Sequence, residues 1–208
     1  MVEELIRWGY LRTPSIIKAF RKVPREEFVP PSFRKYAYED HPLSIGYGQT
    51  ISAPSMIALM LESLKVERGQ RVLEVGTGSG YNAALLAELV GREGKVVSIE
   101  RIPALASFGR ENLRKTGYDW VEVVVGDGTC GYPPGAPWDR ILITACSPGF
   151  PPPLLEQLKV GGRMGAPVGH FYASQVWKVA EKTERGIEVE NYSPCSFVPL
   201  LGKYGWKE

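Results

Sequence analysis

The stretch VLEVGTGSGY, residues 72–81, restricts the fold of this chain more than any other. A short apolar run ends in Gly76-x-Gly78-x-Gly80 and passes directly into a helical pattern. A strand that becomes a helix within so few residues needs glycine, which reaches positive φ without strain and lets backbone approach a ligand closely. The free amides at the helix start then face a polar group. A plain strand-to-helix turn would use the same glycines. Their place after the first strand of an alternating unit is what favours a nucleoside-type ligand.

The alternation is clear on both sides of this loop. RVLEV (71–75), KVVSIE (95–100), VEVVVGD (121–127) and DRILITA (139–145) read as strands. GYNAALLAELVG (80–91) and PALASFGRENLRKTG (103–117) read as helices stopped by glycine. Such a pattern builds an α/β fold, a mostly parallel sheet with helices on both faces. PPPLLEQLKVGG (151–162) reads as a short helix and a turn. QVWKVAEKTERGIEVENYS (175–193) reads as an antiparallel hairpin turning at Arg185–Gly186, a C-terminal edge for the sheet. Ahead of the sheet, residues 3–23 read as helical, with Pro14 opening a second helix behind Thr13 as N-cap. Residues 54–64 return to helical spacing. The expectation is one domain over 1–208: a helical extension and a loop over 1–65, then a ligand-binding core and hairpin over 66–208.

Composition removes several alternatives. A net charge of +2 is too balanced for a nucleic-acid footprint. The start, MVEELIRWGYLR, lacks the apolar run of a signal peptide, and no run of about 18 apolar residues occurs that could span a membrane. Cys130, Cys146 and Cys195 are odd in number and form no Cys-x-x-Cys pair, which suits a reducing cytosol and argues against a disulfide framework. Together with His41 and His170 they lack metal-ligand spacing. The expected protein is cytoplasmic, with no metal, no membrane contact and no stable protein partner.

Three acids sharpen the ligand. Dinucleotide folds use Gly-x-Gly-x-x-Gly, and here the third glycine comes one residue early. Glu74 stands two residues before the first glycine, where a carboxylate would repel a diphosphate and attract a sulfonium with an amino group. Glu100 ends the second strand, within reach of ribose hydroxyls, and Asp127 in GDG follows the third, facing an adenine edge. Each alone reads as a solvated loop charge or a cap. At the carboxyl ends of successive strands they point to one crevice and to S-adenosylmethionine.

A further set of segments, GYGQTISAP, LEVGTGSGYNAALLAELVG, IER, GDG, LLEQLKVGGRMGAPVG and FVPL, resembles the protein-L-isoaspartate O-methyltransferases, from about Phe28 to the C-terminus. The resemblance implies a Rossmann-like methyltransferase sheet with an N-terminal helical extension. It implies methyl transfer from S-adenosylmethionine, leaving S-adenosylhomocysteine, to the free α-carboxylate of L-isoaspartyl residues in damaged proteins and peptides. It makes Ser52 the active-site serine. It places Thr50, Ile51, Glu74, Gly76, Thr77, Gly78, Ser79, Gly80, Glu100, Arg101, Asp127 and Gly128 around the cofactor, and Ser52, Ala53, Val168 and Leu200 around the substrate. Ser44 stands where the family has proline, and Cys146 lies in an unusual proline-rich turn.

The chemistry suits these residues. An α-carboxylate with a pKa near ~3.5 is ionised at neutral pH, so no strong base is needed. In-line positioning can supply roughly 7–11 kcal/mol of barrier lowering. Ser52 then serves as a hydrogen-bond donor. From the residues alone, the reading of Ser52 or Ser55 as the cap of the 54–64 helix comes first, and the resemblance reverses that order; Gln49 and Thr50 cap, close the loop or meet the cofactor. His41 reads as a surface histidine and His170 as part of the cleft rim. ITACSP after the fourth strand replaces the Asn/Asp-Pro-Pro-aromatic motif of amino-group methyltransferases. The competing readings are a methyltransferase for a small molecule or RNA, and a cofactor-binding module without catalysis.

Overall fold

The structure, a computed structural model, describes residues 1–207. The chain opens with α1 (Val2–Arg7) and α2 (Pro14–Lys22), two 3₁₀ segments (Arg25–Phe28 and Pro31–Tyr36), a hairpin of β1 (Leu43–Gly46) and β2 (Gln49–Ile51), and α3 (Pro54–Leu64). Then come β3 (Arg71–Val75), α4 (Tyr81–Val90), β4 (Lys95–Glu100), α5 (Pro103–Lys115), β5 (Glu122–Val125) and β6 (Trp138–Ile143). The chain continues through α6 (Pro152–Gln157), β7 (Leu158–Gly169), β8 (Gln175–Thr183) and β9 (Gly186–Cys195).

One seven-stranded sheet runs β5-β4-β3-β6-β7-β8-β9, parallel through β7 and antiparallel from β8 onward. Its central strands are apolar on both faces, as a covered parallel sheet requires. Val72 and Val96 join a core with α2, α3 and α4, while Leu73 and Val97 join a second core with Trp138, Leu154 and Met164. α4 is apolar almost all round, with Ala83, Leu85, Leu86, Leu89 and Val90 buried. A helix of that kind needs cover on every side. The N-terminal extension supplies it through Phe20 and Phe28, whose rings meet Tyr81 edge-on at 6.5 and 5.4 Å.

Four expectations change in detail. Thr13 is the N-cap of α2 as expected, but its side chain bonds none of the helix amides; its hydroxyl donates to Glu62 Oε2 at 2.7 Å and so ties α2 to α3. Gly161 and Gly162 do not end the element after α6: they lie inside the twelve-residue β7, where the register shifts beside Trp138 and Arg140. Gly161 adopts φ +79 there, the irregularity that makes the sequence look like a turn. The β8–β9 turn is Glu184–Arg185, one residue earlier than expected, with Thr183 paired to Gly186. The segment before α3 is a bulged hairpin: Leu43 pairs with Ile51, Ser44 with Thr50 and Gly46 with Gln49, with a register shift between Ser44 and Gly46. Its two-residue turn, Tyr47–Gly48, has left-handed φ at both positions, +54 and +70.

Candidate active site

The carboxyl ends of β3, β4 and β6 open into one cleft, where an open α/β sheet binds its ligands. The cleft opens to solvent, with about 900 Å³ of empty space when its mouth is counted. Its floor is the glycine loop. Gly76 (φ +102) lies so close to Thr144 that an added Cβ would overlap the Thr144 hydroxyl. That hydroxyl donates to the carbonyls of Val75 and Gly76 at 3.1 and 3.0 Å. Gly80 (φ +88) starts α4, and a Cβ there would meet Gly109 O of α5 at 2.9 Å. The two helices and the loop therefore pack through bare backbone.

The three acids have three different fates. Glu100 lines the cleft and accepts from Gly78 N (2.9 Å) and Ile102 N (3.0 Å), so it braces the glycine loop and keeps lone pairs for a ligand. Glu74 departs from the expectation. It does not line the cleft but lies beneath it, fully buried, with Oε2 bonded to the Ser98 hydroxyl, Ser98 sharing a 2.6 Å hydrogen bond with Thr77, and Oε1 unpartnered. Burial pushes its pKa up to about 8, with the nearby Glu100 charge adding to the rise and the Ser98 hydrogen bond opposing it. Buried outside the lining and pushed toward its neutral form, the side chain does not offer the cleft the attraction expected of a free carboxylate. Asp127 departs too. Its carboxylate turns from the cleft to accept from Thr129 N (2.9 Å), Thr129 Oγ1 (2.6 Å) and Lys203 N (2.8 Å), and only its neighbour Gly128 lines the cleft.

The hairpin forms a wall. Ile45, Gln49, Thr50, Ile51 and Ser52 face the cleft. Ser52 is not the helix cap: the N-cap of α3 is Ala53, and the exposed amide of Ser55 donates to Asp40 Oδ1 at 2.8 Å. The Ser52 hydroxyl is therefore not committed to capping. Behind it lies Arg25, fully buried, whose Nη2 donates to Ser52 O and whose Nε donates to Ala37 O, both at 2.7 Å. Burial lowers the Arg25 pKa to about 10 against weaker support from Tyr81, Asp40 and Tyr38. The opposite wall comes from the end of the chain, Val198–Leu201, held by Cys146 N–Val198 O (2.7 Å) and Leu200 N–Cys146 O (2.8 Å).

Of the expected residues, the cleft brings together Thr50, Ile51, Ser52, Gly76, Thr77, Gly78, Ser79, Glu100, Arg101, Gly128 and Leu200. Ala53, Gly80 and Val168 stand just outside its lining, as do Glu74 and Asp127. Val168 is bridged to Ser147. Sequence reasoning missed Tyr81, Asn82 and Thr144, which line the cleft from α4 and from the end of β6. Asn82 is next to the glycine loop, and that adjacency was the one available signal.

The family model for protein-L-isoaspartate(D-aspartate) O-methyltransferase matches residues 1–205. The chain belongs to this family. A protein-L-isoaspartate O-methyltransferase of Methanopyrus kandleri is 56% identical over all of this chain and 92% of its own length, and one of Hyperthermus butylicus is 51% identical over 100% and 90%. A solved protein-L-isoaspartate O-methyltransferase superposes with a TM-score of 0.89 at 34% identity, covering 99% of this chain and 67% of its own. A Plasmodium falciparum structure, described as a putative member in complex with S-adenosyl-L-homocysteine, superposes at 0.86 with 26% identity over 96% of each chain. The chain is accordingly an enzyme, an isoaspartate O-methyltransferase of the repair class, and the small-molecule and RNA readings fall away.

As a protein-L-isoaspartate O-methyltransferase the chain carries its two departures quietly. Ser44 is exposed on β1, where its hydroxyl accepts from Gly46 N at 3.4 Å. Cys146 is buried, burial pushes its thiol up to about 11, and its part in the site is its backbone. His41 is an exposed partner of Glu39 at 2.9 Å. His170 stacks on Phe171 at 5.2 Å and meets Trp206 outside the cleft lining. Among the described residues no helix is long and apolar enough to cross a membrane.

Proposed function

We propose that the cleft holds S-adenosylmethionine on the glycine loop and Glu100, and presents it to the α-carboxylate of an L-isoaspartyl residue held at Ser52. The observation that carries this reading is the convergence of two distant segments, Thr50–Ser52 and Gly76–Ser79, on one cleft. The residues fit the cofactor. Glu100 offers acceptors for ribose hydroxyls, and Asn82 Oδ1, buried in the same lining without a partner, offers one for an ammonium group. Thr77, Ser79, Arg101 and Gly128 complete the cradle, and Ile51 and Leu200 contribute apolar walls. When bound, S-adenosylmethionine supplies an electrophilic methyl group.

The protein's own task is placement. The Ser52 hydroxyl donates to one carboxylate oxygen and leaves the other free along the transfer axis. Ala53, Val168 and Leu200 border the peptide. The hairpin wall and Val198–Leu201 exclude water, so the carboxylate meets the acceptor position without its hydration shell. No side chain has to remove a proton. The three free cysteines support a reducing, cytoplasmic setting.

The test offers labelled S-adenosylmethionine with an isoaspartyl peptide and with its normal aspartyl twin. Label is expected on the isoaspartyl peptide alone, as an ester released by mild base; label on both, or on neither, overturns the reading. In the same assay Ser52→Ala is expected to lower turnover by about 10–100-fold, the worth of a hydrogen bond to a charged group. Cofactor affinity and thermal midpoint should stay unchanged, because Ser52 caps no helix. Unchanged turnover would remove Ser52 from the site.

A further inference from the structure

Arg25 is 0% exposed, yet among the described residues no carboxylate forms an ion pair with it. Its guanidinium lies 5.0 Å from the centre of the Tyr81 ring. Two of its nitrogens donate to carbonyls, Ala37 O and Ser52 O, and the third, Nη1, is buried without a partner. The Tyr81 hydroxyl is likewise buried and unpartnered, and Tyr81 and Ser52 both line the cleft.

An apolar side chain of similar volume is often as good as, or better than, a buried ion for stability alone. The geometry of the fork points instead to the site. A planar guanidinium can hold two carbonyls in one fixed arrangement, which a flexible ammonium cannot reproduce. Here the two carbonyls belong to the chain ahead of the hairpin and to the first residue after β2, so the fork sets where the backbone of Ser52 lies.

We propose that Arg25 is a positioning residue for methyl transfer, acting through the Ser52 carbonyl to hold the Ser52 hydroxyl on the substrate carboxylate. This rests on the reading of Ser52 given above. Arg25→Lys keeps the charge and loses the fork. Arg25→Gln removes the buried ion and retains a single amide donor group, which protects the test against failure of the lysine variant to fold. Each is made alone and with Ser52→Ala, and kcat and KM for the isoaspartyl peptide are measured beside cofactor affinity by calorimetry.

Either Arg25 variant alone is expected to lower kcat by about tenfold or more, as one misplaced charge-assisted hydrogen bond would. Cofactor affinity should hold to within about twofold, and with Ser52→Ala present the same change should alter kcat by less than about twofold, because coupled residues are not additive. Equal factors in both backgrounds, or wild-type kcat in the single variants, would overturn the proposal and leave the enzyme's function standing. Absence of transfer by the unaltered chain would overturn the functional reading and this proposal with it.

Discussion

Glu74 is fully buried beneath the glycine loop, outside the lining of the cleft. It belongs to the strand that ends in the glycine loop, but strand alternation turns it under that loop, where the Ser98 hydroxyl is its one polar partner. A carboxyl whose folded pKa is about 8 binds a proton more tightly in the folded chain than in the unfolded one, whose value is near 4.5. Its stabilising contribution is complete below about pH 4.5 and is lost as pH rises through 8. Without cofactor, the thermal midpoint of the wild-type chain should therefore fall between pH 6 and pH 9 by more than that of Glu74→Gln, which has no proton to lose. Calorimetric scans at the two pH values check this. An equal fall in both would mean that Glu74 ionises normally in the fold. For the acids, position along the strand is legible in the chain but depth is not, because depth depends on what packs above.

Among the elements, the hairpin was the hardest to read and the most consequential. Its strands have four and three residues, too short for alternation to be visible. Its turn is Tyr-Gly instead of the Asn-Gly that signals such hairpins. Tyr47 holds φ +54 with its side chain 65% exposed, so it has little packing to offset a conformation that disfavours bulky side chains by roughly 1–2 kcal/mol. Tyr47→Asn should raise the thermal midpoint by about 2–4 °C, since asparagine tolerates this region and a chain of this size gains that much per kcal/mol. A lower midpoint in a differential scan would show that the tyrosine ring contributes more than its backbone costs. The long periodic elements were legible: α3 begins at Pro54 and ends at Leu64, and β3 and β4 span 71–75 and 95–100, all as expected. β7 was not, because a bulged strand carrying two glycines has the local signature of a turn.

Across the whole molecule, one core joins the beginning of the chain to its end. Leu5, Phe20 and Phe28 share a cluster with Leu86, Val96 and Trp177. Trp177 of β8 is fully buried, donates from Nε1 to Ser63 Oγ of α3 at 2.8 Å, and lies so close to Gly165 of β7 that a Cβ there would overlap its ring. Trp177→Ala should destabilise the chain by about 3–5 kcal/mol, and helix content and aromatic packing should still be lost together at one lowered midpoint. Separate transitions in far- and near-UV circular dichroism would mean that the extension and the sheet unfold apart. This connectivity also explains what sequence reading could not supply. Arg25, Asn82 and Thr144 have no shared local motif; Asn82 and Thr144 line one cleft, and Arg25 reaches Ser52 on its wall, only when the sheet, α4 and the extension are packed.

Asp127–Gly128 carries a last consequence, which concerns the ageing of the enzyme itself. In an aspartate followed by glycine, the side-chain carbonyl carbon is open to the next backbone nitrogen, and ring closure there is how an isoaspartyl link begins. This chain places such a pair at the edge of its own cleft. Burial alone would raise the Asp127 pKa, but donors from Lys203 N, Thr129 and Cys130 together hold it below the usual carboxylate range. The carboxyl stays charged, a poor target for attack, and is pinned toward Thr129 and the tail. The contacts that fasten the last segment of the chain thus also shield an enzyme of isoaspartate repair from the lesion it corrects.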